Sequence, residues 1–145
     1  MGHNILFARD TDIDFTGDLT IEDNVIFAEG AKVITHNHDA ILQENEAECA
    51  PASLIIRDHA YIYSRAVIMP QVGEIGRHAI VATGAVAVNP IPPYSIVAGV
   101  PAKVLKFIAP IDEIVKFEEE HYPIGKRIPV EVLRENERIY LNKKE

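Results

Sequence analysis

The sequence predicts an all-β fold, a parallel β-helix of six-residue repeats, followed by a short α-helical extension. Three observations carry this prediction. A large apolar residue returns at six-residue intervals through much of the chain, a small residue stands four positions after most of them, and charged, helix-compatible sequence replaces the pattern beyond Phe107. The chain has 145 residues, of which 48% are hydrophobic, so one compact core is expected.

The six-residue period identifies the repeating unit as a short strand and a tight turn. An α-helix turns once in about 3.6 residues, so an apolar stripe of period six would drift around its surface. Three strand-and-turn units form one turn of a β-helix, and stacked turns bury the large residues in a column. These large residues are Phe15, Ile21, Phe27, Val33, Ile56, Ile62, Ile68, Ile75 and Val81, with one residue inserted at Gly73-Glu74. The small positions are Val25, Ala31, Ala60, Ala66, Val72, Ala79 and Ala85.

The fourth column of the repeat holds residues that tolerate tight turns. Its members are Asn24, Gly30, Gln71 and Gly84. Asn and Gly adopt left-handed backbone conformations with little strain, as the corners of a coil require. The period does not give the handedness of the coil.

The end of the coil is expected at the prolines, which stand at positions 90, 92, 93 and 101. Proline cannot donate a hydrogen bond to a strand ladder. We therefore place a β-helix domain at residues 1–107, with a loop insertion at about 39–54, and a helical extension at 108–145.

Two helices are predicted in the extension. One is "PIDEIVKFEEEHYP", and the second is "PVEVLRENERIYLNKK", which starts at Pro129. Their apolar stripes need cover from the β-helix, a neighbouring subunit or each other. The stripes are Ile111, Ile114 and Val115 on the first helix and Val132, Leu133 and Ile139 on the second.

Charge and composition exclude several classes of partner. The chain has 14 Lys and Arg and 22 Asp and Glu, a net charge of −8, which argues against nucleic acid and anionic membrane surfaces. Its one cysteine, Cys49, cannot form an internal disulfide, so a cytoplasmic protein is expected. No apolar run reaches the roughly 18 residues of a membrane span, and the start "MGHNILFARD" has no signal-peptide pattern.

The repeat stops at "VITHNHDA", where His36 and His38 precede an irregular segment. This break, the repeats and the closing stretch "IPPYSIVAGVPAKV" resemble the hexapeptide-repeat acyltransferases, and in particular the sugar and galactoside or maltose O-acetyltransferases. The resemblance extends from about Ile21 to Lys106. It implies a left-handed β-helix, a homotrimer with active sites between subunits, acetyl-CoA as the donor and a sugar hydroxyl as the acceptor.

The resemblance also implies roles for residues at the break and beyond it. His38 corresponds to the general base, for which imidazole is suited because it titrates near neutral pH. Ser64 corresponds to a residue that stabilises the oxyanion of the tetrahedral intermediate. Tyr61 stands where the family usually has a Trp beside the acceptor pocket, and His36, in the turn column, is the second residue expected to line that pocket. The loop at about 39–54 is expected to enclose the acceptor.

The CoA site implied by the resemblance falls in "VATGAVAVNPIPP" and "PAKVLKF". Val88 and Asn89 depart from the usual Thr-Lys pair, which removes one positive charge. The two lysines form the local basic pair that an acidic protein needs for a phosphate-bearing ligand. The CoA-binding residues that the resemblance implies are Thr83, Gly84, Asn89, Lys103 and Lys106. Asp10, Asp12 and Asp14 could bind acceptor hydroxyls, but none of them matches the family pattern.

Three alternatives remain open at the level of sequence. An amino-sugar N-acyltransferase would use the same base with an amine nucleophile. A zinc protein similar to γ-carbonic anhydrases has enough histidines in His36, His38, His59 and His78, but their spacing lacks the paired histidines of such sites, and no metal is expected. A non-catalytic β-helical scaffold is the third alternative.

Overall fold

A computed structural model describes residues 1–39 and 48–141. Within these ranges the chain is mostly strand until Phe107 and helical from Ile111. The strands are β1 (Leu6–Phe7), β2 (Asp12–Ile13), β3 (Asp18–Ile21), β4 (Ile26–Phe27), β5 (Lys32–Val33), β6 (His36–Asp39), β7 (Glu48–Pro51), β8 (Ser53–Ile56), β9 (Tyr61–Ile62), β10 (Val67–Ile68), β11 (Glu74–Ile75), β12 (Ile80–Val81), β13 (Val86–Ala87), β14 (Ser95–Gly99) and β15 (Ala102–Phe107). The helices are α1 (Ile111–His121) and α2 (Val130–Leu141).

Successive strands join three sheets in rotation. The first sheet contains β1, β4, β9, β12, β14 and β15, the second contains β2, β5, β10 and β13, and the third contains β3, β8 and β11. All pairings within these sheets are parallel except that of β14 with β15. The chain therefore adds one strand to each sheet in turn, as the six-residue period predicts.

The core is the column of repeat residues between the sheets. All seven small positions are 0% exposed, and so are seven of the nine predicted large residues, with Ile21 at 2% and Phe15 as the exception. Phe15 is 61% exposed, so its predicted place in the core is wrong. Ile13, and not Phe15, pairs with Val33. The reason is that the chain between Ile13 and β3 is longer than the six-residue repeat allows.

The corners contain most of the predicted turn residues in the expected conformation. Asn24, Gly30 and Gly84 have φ values of 59°, 73° and 70°. Gln71 differs, because it lies in a short 3-10 turn, and Gly73 next to that turn has the positive φ of 71°. The inserted residue is therefore accommodated by a change of turn type.

The prolines do not end the coil at residue 90. Ile91 forms a parallel bridge with Ile75 on the third side, and β14 then pairs with β12 in the first sheet. Only after Gly99 does the chain reverse, into the antiparallel strand β15. A proline beside a strand position is compatible with the edge of a sheet, which is what the last turn of a coil presents.

The two helices pack on each other and on the end of the coil. A second buried cluster joins Tyr94 and Phe107 from the coil to Ile111 and Ile114 of α1 and Leu133 of α2. The predicted stripe on α2 is wrong in part, because Val132 and Ile139 are 44% and 40% exposed. In the described part of the chain, neither helix has the length and apolar character that crossing a bilayer requires.

Candidate active site

Asp14 and His36 meet at the corner between the second and third sheets. Asp14 follows β2 and His36 begins β6, and the carboxylate Oδ2 lies 2.5 Å from Nδ1 of the imidazole. Because Asp14 holds Nδ1, it fixes the plane of the ring and favours the tautomer with its proton on Nδ1. Nε2 of His36 is then the nitrogen with a free lone pair, as a general base requires.

The Asp14 carboxylate is itself fixed by its neighbours. Oδ1 accepts hydrogen bonds from the Thr16 hydroxyl at 2.6 Å and the Thr16 N–H at 2.9 Å, and Oδ2 accepts one from the Thr35 N–H at 2.9 Å. The Thr16 hydroxyl, helped by the backbone N–H groups and His36, holds the pKa of Asp14 well below its ordinary value. The carboxylate therefore stays ionised at neutral pH and continues to accept from His36.

His38 lies beside His36 on the same side of β6. Their ring centroids are 5.2 Å apart and the rings meet edge to face. His38 is exposed, and its ring has no hydrogen-bond partner among the described residues. The general-base role predicted for His38 stays a prediction, and the fixed orientation favours His36 for that role.

A β-hairpin leaves the coil at this corner. β6 and β7 pair antiparallel, with His38 opposite Cys49. The centre of the predicted loop at 39–54, residues 40–47, lies outside the described residues. At the base of the hairpin, a Cβ on Gly17 would lie 2.3 Å from the Ala52 carbonyl oxygen and 2.4 Å from that of Thr35. Only glycine fits there, so Gly17 sets the distance between the hairpin and the Asp14 turn.

Ser64, predicted to stabilise the oxyanion, and Thr83 and Gly84, predicted to bind CoA, lie at another corner, between the first and second sheets. The Gly84 N–H donates to the Ser64 carbonyl at 3.0 Å, and Thr83 is exposed next to it. Tyr61 lies on the outer side of the first sheet, with its ring centroid 4.2 Å from that of Tyr63. One chain therefore places Ser64 and the histidine pair at different corners of the coil.

A cavity of about 530 Å³ at the end of the coil contains two of the predicted CoA residues. Asn89 and Lys103 line it, and Lys106 is exposed further along β15. Tyr140 of α2 also lines the cavity, which sequence reasoning missed. The other lining residues are Ala87, Pro90, Ile91, Val97, Ala102 and Val104.

Asp58, His59 and His78 bring atoms of metal-ligand type within 4.8 Å of one another. The Tyr122 hydroxyl stands among them, because it donates to Asp58 Oδ2 at 2.5 Å and lies 2.9 Å from His78 Nε2. The Arg77 guanidinium adds a positive charge 3.5 Å from Asp58 Oδ1. An ion site needs convergent lone pairs and open space, so these contacts suit a hydrogen-bond network and do not favour the zinc alternative.

The same network anchors α1 to the coil. Glu118 of α1 is 2% exposed and accepts hydrogen bonds from the Tyr94 hydroxyl and from Arg77 Nη1 at 3.3 Å. Burial, together with the neighbouring imidazole of His59, lowers the pKa of His78 to about 4. His78 is therefore neutral at pH 7, which allows it to pack beneath the helix.

Neither the known protein-family models nor the curated proteins give a match to this chain. Solved structures do match, at low sequence identity. A hexapeptide-repeat-containing acetyltransferase from Vibrio cholerae, complexed with acetyl-CoA, is 21% identical with a TM-score of 0.62, over 76% of this chain and 71% of that one. A galactoside acetyltransferase in complex with CoA is 24% identical with a TM-score of 0.63, over 88% of this chain and 64% of that one.

A third match is AntD, an N-acyltransferase from Bacillus cereus in complex with dTDP and CoA. It is 20% identical with a TM-score of 0.64, over 83% of this chain and 66% of that one. The chain thus spans about two thirds of the length of these structures. At these identities the matches establish a shared fold, and the proteins that share it are CoA-dependent acetyl- and acyltransferases.

Proposed function

We propose that this chain is an acetyl-CoA-dependent O-acetyltransferase built on a left-handed parallel β-helix. It would transfer an acetyl group to a hydroxyl of a sugar or sugar-containing acceptor, as in the synthesis of surface polysaccharides. The observation that carries the proposal is the Asp14–His36 pair, an oriented imidazole at the point where the coil is interrupted. The shared fold with CoA-bound acetyltransferases supports the donor.

The reaction needs a base and an oxyanion donor. The imidazole accepts the proton of the acceptor hydroxyl as its oxygen bonds to the thioester carbonyl carbon. The carbonyl oxygen gains negative charge, which Ser64 and nearby backbone N–H groups stabilise. The C–S bond then breaks, the acetyl ester is released, and CoA leaves as a thiolate that takes up a proton. His36 is the base that the geometry favours, and His38 is the neighbouring candidate.

A homotrimer is supported by the outer face of the first sheet. In the parallel strands of that sheet, two outward columns of described residues contain no charged side chain, and lysines stand only at the edge, where β15 places Lys106 opposite Ile96 and Lys103 opposite Ala98. These columns are Leu6, Ile26, Tyr61, Ile80 and Ile96 and, beside them, Ala8, Ala28, Tyr63, Ala82 and Ala98. The third sheet differs, since Glu74 projects there and pairs with Arg57 at 2.9 Å. An apolar face of this extent is expected to be covered by another subunit. A neighbouring copy would also supply the Ser64 corner that one chain keeps apart from its own histidines.

An amino-sugar N-acyltransferase is the second candidate. The shared fold with AntD, an N-acyltransferase that binds dTDP, favours it. The Asp14–His36 pair would serve an amine nucleophile in the same way, because the amine must also lose a proton. Acceptor preference separates the two candidates.

The test is release of free CoA thiol from acetyl-CoA, measured with a panel of sugars and amino sugars. We expect acetyl transfer to a hydroxyl, with the product identified by mass spectrometry. His36→Ala should lower turnover by about 10²–10⁴-fold, the usual contribution of a general base, and His38→Ala should have the smaller effect. A greater loss in His38→Ala would assign the base to His38, and hydroxyl transfer that survives both substitutions would contradict the proposal.

A further inference from the structure

Helix α2 turns a partly polar face toward the coil. Its buried and half-buried positions are Leu133, Asn136, Glu137 and Tyr140, spaced as one face of a helix, while Val132 and Ile139 are exposed. A helix that only covered a core would turn its apolar residues inward. The polar half of this face therefore lies against something other than a core.

Tyr140 stands at the far end of that face and lines the cavity that contains Asn89 and Lys103. Leu133 is seven residues earlier on the same face and is buried in the second cluster, which fixes the rotation of the helix. Arg134 adds an ion pair with Asp112 of α1, at 2.8 Å. The phenol ring is thus presented to the cavity by a packed element.

The cavity combines the groups that bind an adenine nucleotide. Its aliphatic side chains, such as Ile91 and Val104, offer an apolar wall, and Asn89 offers amide donors and an acceptor. The Lys103 ammonium forms no ion pair with any described carboxylate, so it is free to meet a phosphate. Tyr140 forms no ring pair with another described aromatic residue, so one face of its ring can stack on a base.

We infer that Tyr140 of α2 forms one wall of the adenine nucleotide subsite for CoA, with the Lys103 ammonium directed to the phosphates. This rests on the proposed function for its donor, and it gives the C-terminal extension a direct role in binding. The sequence alone left the role of that extension open.

The test compares ligands with and without the nucleotide. Titration calorimetry of CoA, adenosine 3′,5′-bisphosphate and pantetheine is carried out on the full chain and on Tyr140→Ala, Tyr140→Phe and Ile139→Ala. Tyr140→Ala should weaken binding of CoA and the bisphosphate about tenfold, as loss of one base stack does, and leave pantetheine unchanged. Tyr140→Phe keeps the ring and should bind as the parent chain does, and Ile139→Ala is the exposed control on the same helix.

Equal CoA binding by Tyr140→Ala and the parent chain would overturn the inference and leave the proposed function intact. If the parent chain binds no CoA, the proposed function fails and the inference fails with it. Should Tyr140→Ala not fold, Tyr140→Trp introduces the sole tryptophan of a chain that has none. Its fluorescence should be quenched by CoA and by the bisphosphate but not by pantetheine, and no quenching by CoA would overturn the inference.

Discussion

The carboxylate of Asp14 lies 2.5 Å from Nδ1 of His36, across one turn of the coil. Threonines on both sides hold the carboxylate, so the pair is a rigid unit built into the corner. A ring held in this way meets its substrate in one orientation and one tautomer, which is what proton transfer requires.

Asp14→Asn should lower turnover about 10- to 100-fold at neutral pH, with a smaller change in KM, because the amide cannot hold His36 in the same tautomer as an ionised carboxylate. Steady-state kinetics over pH 5–9 measures the effect. Asp112→Asn is the matched control, since Asp112 is exposed and pairs with Arg134 at 2.8 Å in the helical extension. Unchanged turnover in Asp14→Asn would remove Asp14 from the site.

Gly17→Ala should destabilise the fold by at least about 2 kcal/mol, because its Cβ would overlap two backbone carbonyls at the base of the hairpin. Chemical denaturation gives the free energy of unfolding. Gly125→Ala is the control, since a Cβ there meets nothing within 4 Å. An equal stability of the two variants would show that the hairpin base has more room than the structure gives it.

Ile80→Arg should convert a trimer to a monomer, because it places a charge at the centre of the apolar face of the first sheet. Sedimentation velocity measures the mass of the species in solution. Thr20→Arg, on the exposed side of the third sheet, should leave the mass unchanged. A parent chain that sediments as a monomer would contradict the proposed assembly.

Stability should fall as the pH drops from about 6.5 toward 4, because His78 has a folded pKa of about 4. A histidine whose pKa is depressed by folding stays neutral in the native state while the unfolded chain binds a proton, so the loss grows as pH falls through this window. With partial exposure of the ring allowed for, the loss is about 1–2 kcal/mol. The charged groups that face His78 are Asp58, His59, Arg77 and Glu118.

Thermal unfolding of His78→Asn should show a flatter stability profile between pH 6.5 and 4 than the parent chain shows. Asn is the appropriate substitution because position 78 has a φ of 55°, which Asn tolerates. His3→Asn serves as the control at an exposed position. Identical profiles for the parent chain and His78→Asn would assign the pH dependence to other groups.

The repeat could be predicted from sequence, because burial alternates in step with the six-residue period. The Asp14–His36 pair could not, because the period places Phe15 above Val33 while the structure pairs Ile13 with Val33. The longer segment that follows Ile13 places Asp14 next to His36. The spacing "DFT" was the available signal, since an Asp two residues before a Thr is typical of a tight side-chain-capped turn.

The helices also show that a contact set by tertiary packing could not be predicted from the sequence. Their positions were predictable from proline and charge, but the face of α2 that turns inward was not, because its register depends on Leu133 reaching a cluster that Tyr94 and Phe107 build from the coil. The cavity beside Tyr140 exists only once that packing is in place.

Titration calorimetry of acetyl-CoA against the full chain, with zinc removed by a chelator, tests most directly whether the chain binds the proposed donor. Saturable binding with one site per chain is the expected result. Absence of binding at high ligand concentration would contradict it, and would indicate that Val88 and Asn89 mark a coil that has lost its CoA site.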